Sequence, residues 1–311
     1  MPRVKDQAFI ISKREFGESD LIITLFSLSR GRVSAIAKGA KRSRKRFPGV
    51  LETFSKVNFS GFIKHPLALT RIDECRLIEP YSGLQESLAG YYCGCYFLEI
   101  VSRCCPERQA NPALFHLLDE ILLFLAESSS ARRRNFSCQI RLFELQAIAL
   151  LGFKPHLDHC LECHRQLSDK IRLCFSPRAG GLVCDACRPL YPESFQVSRG
   201  TINLLNRAAE LDRDIRAKLN FTPAVENESA RLCRALLRWH SGCEFKSLQI
   251  LEQKLQKSKS GKPQSTPSVG DTKTARGLTT SQPAIGPTME IGPETREMEY
   301  RDEFSGRHSQ P

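Results

Sequence analysis

Four cysteines in two closely spaced pairs are the residues of this 311-residue chain whose types and spacing most clearly indicate chemistry. Cys160 and Cys163 form one C-x2-C pair, and Cys184 and Cys187 form the second after a gap of 20 residues. Two residues between cysteines let both thiolates reach one metal ion, and two such pairs complete a tetrahedral structural zinc site. We therefore predict a bound Zn2+ that stabilises a hairpin-rich lobe. Because four thiolates leave no open coordination position, no catalysis by this metal is expected.

The remaining potential ligands near these pairs are His156, His159 and His164, which stay open as alternatives to one of the sulfurs. The chain has 13 cysteines, an odd number, and opens without an apolar leader, which favours reduced thiols over disulfides. Nine of them are predicted to act as small buried apolar residues: Cys75, Cys93, Cys95, Cys104, Cys105, Cys138, Cys174, Cys233 and Cys243.

A second chemical feature is a basic segment, residues 38–47, which holds six cations in ten residues and no acid. Residues 1–80 carry 16 Lys/Arg and 8 Asp/Glu, and so supply +8 of the net charge of +12. Clustered cations bind phosphates by releasing condensed counterions, so this charge predicts nucleic-acid binding that weakens with salt. The predicted DNA-binding residues are Arg14, Arg30, Arg32, Lys38, Lys41, Arg42, Arg44, Lys45, Arg46 and, as a platform for a stacked base, Phe47. A solvated charge run or a localisation signal is the plainer interpretation of such a segment.

The elements that must position the basic segment are predicted to be strands. Alternation of apolar and polar residues indicates five strands within residues 3–80, at 4–13, 21–27, 32–38, 56–62 and 69–77. Five short strands suit a small antiparallel barrel such as an OB-fold, and an SH3-like barrel fits the count nearly as well. The basic segment follows the third strand and is expected to be a loop of the barrel.

The elements that must carry the cysteine pairs are predicted to be helices. Apolar residues spaced three and four apart indicate helices near 87–105, from Asn111-Pro112 onward, at 135–151 and over 198–257, with Gly242 dividing the last. Trp239 and Leu255 are expected to face the core. The predicted fold is thus α+β, an N-terminal five-stranded OB-fold β-barrel followed by an all-α helical domain with an inserted four-cysteine zinc lobe.

The predicted organisation has four parts. They are an OB-fold nucleic-acid-binding domain at 1–80, a helical domain at 81–153 and 193–257, a zinc-binding insert at 154–192, and a disordered tail at 258–311. The tail holds 10 apolar residues among 54, too few to offset its chain entropy.

Several function classes lack their signatures. There is no apolar run long enough to span a membrane, no phosphate-binding G-x-x-x-x-G-K-[ST] loop, no G-x-S-x-G elbow and no H-E-x-x-H helix. The sequence therefore predicts a protein without catalytic residues, nucleotide cofactor or membrane partner.

Three stretches of the chain resemble one family, the bacterial recombination mediator RecO. The first is REFGESDLIITLF at 14–26 followed by AKGAKRS at 37–43. The second is LGFKPHLDHC at 151–160, which leads into both cysteine pairs, and the third is HSG at 240–242 with FKS at 245–247. Together these stretches span about residues 3–251.

What the resemblance implies goes beyond composition and spacing. It implies a cytoplasmic, nucleoid-associated DNA repair protein of homologous recombination that binds single- and double-stranded DNA and anneals complementary strands. It also implies help in loading recombinase RecA onto DNA coated by single-strand-binding protein, with RecR and single-strand-binding protein as partners. Residues 132–134, three consecutive arginines, could attract the acidic tail of single-strand-binding protein by charge.

Three alternatives remain open from the residues alone. A zinc-ribbon RNA-binding or transcription-associated protein would prefer RNA over DNA. A protein-interaction scaffold would show little DNA affinity, or an affinity insensitive to salt. An enzyme with an unrecognised site would show a cluster of perturbed titratable groups in a closed pocket.

Overall fold

Alternating apolar and polar residues build a barrel from the N-terminal quarter of the chain. The computed structural model describes residues 3–43, 45–63, 68–127, 136–166, 172–210 and 219–260. In the third strand, Val33, Ala35 and Ala37 are buried while the residues between them are partly exposed, which is the period of a strand with one face in a core. The five strands are β1 (Arg3–Phe16), β2 (Asp20–Ser27), β3 (Gly31–Ala37), β4 (Lys56–Phe62) and β5 (Thr70–Glu79).

The barrel is closed, with its strands in the order β1-β2-β3-β5-β4 and with β4 paired back onto β1. All pairs are antiparallel except β3 with β5, where Ala35 lies opposite Thr70 in a parallel pair. This order and the parallel closure are those of an OB-fold, a Greek-key barrel, and not of an SH3-like barrel. The predicted OB-fold is confirmed.

Six helices follow within the described residues: α1 (Leu88–Cys104), α2 (Pro112–Ala126), α3 (Phe136–Leu150), α4 (Arg199–Glu210), α5 (Pro223–Ser241) and α6 (Lys246–Ser260). The sequence signals for their ends are present. The Asn111 side chain accepts a hydrogen bond from the Leu114 N–H, which caps α2, and Pro112 occupies its first turn. Gly242 ends α5 in the left-handed conformation. None of the described helices is long and apolar enough to cross a bilayer.

The region predicted as helix at 198–257 is broken into α4, α5 and α6. One break is at Gly242, as expected, and another precedes Thr222, whose hydroxyl accepts a hydrogen bond from the Val225 N–H and caps α5. The expectation that Trp239 faces the core is wrong, because its side chain is 52% exposed. Helix α6 continues to Ser260, past the predicted start of the tail at residue 258. The tail from 261 onward and residues 132–134 lie outside the described residues.

The cysteine segment forms a three-stranded antiparallel sheet of β6 (Leu173–Ser176), β7 (Gly181–Cys184) and β8 (Phe195–Gln196), with β6 in the centre. Strand β8 lies beyond the predicted end of the insert at residue 192. Phe175, Leu182 and Phe195 are buried in the same apolar cluster as α1, α2 and α3. The sheet is therefore packed into the helical body and shares its core.

Aromatic packing joins the barrel to the helical body. The ring of Phe115 in α2 lies 4.6 Å from that of Phe9 and 5.8 Å from that of Phe26. Beside these rings, the Lys56 ammonium is 2.6 Å from the carboxylate of Asp119, and both side chains are more than four-fifths buried. The described barrel and helices thus share one apolar cluster.

A close backbone contact at Gly31 fixes the same junction. Gly31 has φ +65°, and a Cβ there would lie 1.8 Å from the carbonyl oxygen of Gln109. The next residue, Arg32, donates from Nε to the Cys105 carbonyl and lies 3.4 Å from the Glu107 carboxylate. The β2–β3 turn therefore packs against the segment between α1 and α2 with no room for a side chain.

Substitution of Gly31 by alanine is expected to open this junction. The added methyl group combines a strained backbone with a clash against a main-chain oxygen, so the free energy of unfolding should fall by about 3 kcal/mol or more. Urea unfolding of the two proteins measures the change.

Gly17→Ala is the matched control, since Gly17 has φ +59° but no atom lies within 4 Å of the position that an added methyl group would take. Its cost should be the backbone term alone, about 1–2 kcal/mol. Equal losses for the two variants would contradict the close contact at Gly31.

Candidate nucleic-acid interface and metal centre

The four predicted metal ligands lie together. The sulfur atoms of Cys160, Cys163, Cys184 and Cys187 are all within 4.8 Å of one another, and the Cys163 and Cys184 sulfurs are 3.7 Å apart. A tetrahedral Zn2+ with bonds of about 2.3 Å holds its sulfurs about 3.8 Å apart. No histidine belongs to the group among the described residues. The donor set therefore fits a thiolate-bound metal ion.

Local backbone hydrogen bonds favour the thiolate form of Cys160, which is the form that binds a metal ion. Cys184 sits at the end of β7, and its backbone N–H donates to the Cys160 sulfur over 3.3 Å. Burial raises the pKa of Cys160, but backbone hydrogen bonds from Cys163, Cys184 and Glu162 outweigh it and lower the pKa to about 7. By contrast, burial and hydrogen bonds with the neighbouring cysteine sulfurs raise the pKa of Cys187 to about 12.

The other nine cysteines do not belong to this cluster of sulfurs. Burial raises the pKa of Cys93 and Cys105 to about 12, which keeps their thiols protonated and unreactive. Seven of the nine are buried as predicted, whereas Cys104 and Cys243 are partly exposed. The structure thus separates four clustered sulfurs from thiols that act as apolar side chains.

The basic segment lies in the connection between β3 and β4 and closes one end of the barrel. Ala40, Phe47, Val50 and Leu51 of this connection are buried in the barrel core beside Val57. Their burial against the strand ends gives a loop without regular secondary structure a fixed position. The described cations between these apolar anchors, Lys41, Arg42, Lys45 and Arg46, are thereby held at the barrel surface.

Three polar contacts anchor the start of the segment. The Asp20 carboxylate accepts a 2.8 Å hydrogen bond from the Gly39 N–H, and this bond lowers the pKa of Asp20. The Lys41 N–H donates to the Ser19 carbonyl over 3.0 Å. Arg46 donates to the Lys38 carbonyl over 2.7 Å and so closes the loop on itself. The segment therefore lies against the β1–β2 turn.

The cations of the segment differ in how far they are already paired. The Lys41 ammonium is 2.6 Å from the Glu15 carboxylate, and the exposed Arg42 lies 3.8 Å from Glu18. Arg46 is committed to the loop backbone and to the Phe47 ring, 5.2 Å away. Three exposed cations form no ion pair with any described residue. They are Lys38, Lys45 and Arg14, and Arg14 lies in β1 near the same end of the barrel. Arg44 lies outside the described residues.

Two of the predicted DNA-binding residues, Arg30 and Arg32, lie away from the basic segment. Arg30 and Arg32 flank the β2–β3 turn, at the end of β3 opposite Lys38. A strand of seven residues separates its ends by roughly 20 Å at about 3.3 Å per residue. Arg32 is also occupied by Cys105 and Glu107 at the junction with the helices. Neither arginine extends the basic segment at its end of the barrel, and DNA binding by Arg30 and Arg32 stays a prediction.

The structure also changes the interpretation of Phe47, the aromatic residue beside the cations. Phe47 is only 5% exposed, because its ring helps to fill the barrel end, so it offers no surface for a stacked base. Phe16, at the end of β1, is 53% exposed, and its backbone pairs with Asp20, the residue that anchors the basic segment. Its place directly before a turn glycine, after Arg14 and Glu15, was the sequence signal for an exposed ring.

Comparison with known proteins is consistent with both parts of this architecture. The family model described as "Recombination protein O N terminal" matches residues 1–81, and "Recombination protein O C terminal" matches residues 85–249. The chain belongs to the recombination protein O (RecO) family. The two matches cover the barrel, the helical body and the cysteine cluster.

Curated relatives carry the name DNA repair protein RecO. That of Syntrophus aciditrophicus is 31% identical over 253 residues, which is 80% of this chain and 95% of the relative. Those of Syntrophobacter fumaroxidans and Pelotomaculum thermopropionicum are 31% and 29% identical, and each alignment covers 81% of this chain and 98% or 95% of the relative. The resemblance noted from the sequence is confirmed as RecO family membership.

Cys163→Ser tests the metal centre without opening a cavity, because Cys163 is exposed. Loss of one of four ligands should weaken Zn2+ or Co2+ binding by more than about 100-fold, beyond the effect of altering a residue that only hydrogen-bonds to a ligand. Metal content after purification and the thiolate–Co2+ absorption band measure the loss.

Cys104→Ser, at a partly exposed cysteine outside the cluster, is the control and should retain one metal per chain. Metal binding that survives Cys163→Ser unchanged would contradict a four-sulfur centre.

Proposed function

We propose that this RecO family protein binds single- and double-stranded DNA through the basic end of its barrel, anneals complementary strands, and helps to load recombinase onto DNA coated by single-strand-binding protein. The observation that carries the DNA-binding part is the set of exposed cations fixed at one barrel end. Lys38, Lys45 and Arg14 face solvent there without ion-pair partners among the described residues. An OB-fold commonly presents such a surface to nucleic acids.

Annealing on this surface requires no covalent step. Two strands repel each other through their phosphates, and a basic face lowers that repulsion while it raises the local strand concentration. Base pairing then supplies the free energy. Glu15 and Glu18 hold Lys41 and Arg42 in the free protein, so DNA phosphates must replace these carboxylates. Such an exchange keeps binding moderate and reversible, which suits a protein that must release the strands it has paired.

The metal in this proposal is Zn2+, held by Cys160, Cys163, Cys184 and Cys187 as a structural ion. Because β6 and β7 share a core with the helices, the ion would fix the sheet that carries Phe175 and Leu182 into that core. When bound, zinc supplies no more than this crosslink, since four sulfurs complete its coordination.

The proposed partners follow from the family. They are RecR, single-strand-binding protein and both forms of DNA, on the nucleoid in the bacterial cytoplasm. DNA repair is the function named for the curated relatives. An RNA-binding function is the competing proposal, and preference for RNA in a direct competition with DNA of the same sequence would favour it.

The test of the DNA interface is a salt series with a charge-matched control. Lys38→Gln with Lys45→Gln removes two exposed cations, so affinity for a single-stranded oligonucleotide should fall about tenfold or more at low salt. The slope of log affinity against log salt should become shallower by about 1.4, since each phosphate contact contributes about 0.7. Fluorescence anisotropy measures both quantities.

The control removes the same charge from the helical body by Lys246→Gln with Lys254→Gln, two exposed side chains of α6. These changes should leave affinity within about twofold of wild type and the slope within about 0.3, since no phosphate contact is lost. Equal effects of the two double variants would show that net charge, and not the barrel end, determines binding, and would overturn the proposed interface.

Phe16→Ala tests the exposed ring beside the cations. One base–aromatic stack contributes about 1–3 kcal/mol, so single-strand affinity should fall about fivefold or more while duplex affinity stays unchanged. Leu190→Ala, at a 59% exposed residue of the cysteine lobe, is the control. An equal loss for duplex DNA would assign Phe16 a structural role.

A further inference from the structure

The basic segment does more than display cations, because it encloses a pocket at the barrel end. The pocket has a volume of about 510 Å³, within the range of about 300–1,000 Å³ typical of small-molecule sites. Its walls are mainly apolar and are formed by Leu21, Ala40, Phe47, Pro48 and Leu51. Phe47, which cannot stack on a base at the surface, here contributes to a wall.

Polar side chains occupy the rim of the same pocket. Lys13 forms an ion pair with the Glu52 carboxylate, and both side chains line the opening. Lys41 lines it as well and is held by Glu15. The pocket thus combines apolar walls with two ammonium groups about its mouth. A nucleotide of single-stranded DNA has the complementary chemistry, a flat apolar-faced base attached to a phosphate.

We propose that this pocket takes up one unstacked base of single-stranded DNA while Lys13 and Lys41 contact the flanking phosphates. The proposal rests on the proposed function, since it needs DNA at the barrel end. It adds a binding site for a nucleobase to a surface that otherwise contacts only phosphates. Bases of a duplex are stacked and paired and cannot enter without being flipped, which is energetically costly. The pocket would therefore favour single strands over duplexes, whatever the sequence.

The anchors of the basic segment make the pocket a built feature of the fold. Gly39 has φ +67°, and its N–H is held by Asp20, while Arg46 closes the loop through the Lys38 carbonyl. The Cys75 N–H donates to the Arg46 carbonyl and ties the loop to β5. These contacts hold the walls apart before DNA arrives, so a base would enter a preformed cavity.

The experiment compares two variants with the same charge. Glu52→Gln and Glu52→Trp both remove the carboxylate at the rim, but the indole is much larger than the amide and is expected to obstruct the opening. Each full-length protein is titrated with a single-stranded oligonucleotide and with an abasic strand of the same length. The Glu52→Gln protein should bind the normal strand about tenfold more tightly than the abasic strand, and in Glu52→Trp this ratio should fall by about fivefold or more, since the burial of the base against the apolar walls is lost. Phe16 is unchanged in both proteins and does not affect the comparison.

Each outcome is decisive. A ratio that is unchanged or raised in Glu52→Trp, with the indole fluorescence the same for both strands, would overturn the base pocket and leave the proposed DNA interface standing. Quenching of the indole by the normal strand alone would instead place the base at the pocket mouth and support the site, since an indole can itself stack on a base. A wild-type protein that binds neither strand at low salt would overturn the proposed function itself. Wild-type binding that is equal for normal and abasic strands would also overturn the pocket, and this arm requires no variant to fold.

Discussion

The burial of four apolar residues from the β3–β4 connection in the end of the barrel is the contact on which the proposed interface depends. Ala40, Phe47, Val50 and Leu51 are all at least nine-tenths buried there, so the described residues of a segment rich in cations are fixed although they form neither helix nor strand. Without these anchors, six cations in ten residues would repel one another and extend into solvent. Hydrophobic burial thus maintains an arrangement of charge that electrostatics alone would disperse.

Apolar burial also unites the rest of the described chain. Phe115 of α2 packs against Phe9 of β1, and Phe175 of the cysteine sheet lies in the cluster that includes both. The barrel and the cysteine lobe are therefore joined through one helical core. A metal ion bound at the cysteines would stabilise this core through β6 and β7, while the end of the barrel that carries the basic segment belongs to a separate apolar cluster. This division would let the proposed metal site and the proposed DNA-binding surface occupy one short chain.

Much of this architecture followed from sequence because its signals are local. Period-two alternation in β3, the Asn111-Pro112 cap and the two C-x2-C pairs each depend on neighbours within a few residues, and all three are confirmed. The failures concern tertiary position. Phe47 was expected at the surface because it adjoins cations, but a neighbouring charge does not determine which side of a loop faces the core. Arg32 is predicted to bind DNA together with the basic segment, yet its Nε donates to the Cys105 carbonyl, 73 residues away. Trp239 shows the opposite case. Its spacing from neighbouring apolar residues predicts burial, but none of the described elements covers its side chain.

Mapping where DNA protects the protein decides whether the barrel end is the interface. Amide hydrogen exchange of the full chain, with and without a single-stranded oligonucleotide at low salt, reports contact without any substitution. We expect protection in residues 14–20 and 38–47, which meet at one end of the barrel, and little change in β6, β7 and α5. Protection confined to the cysteine lobe or the helices, with residues 38–47 unaffected, would contradict the assignment of the barrel end as the DNA interface.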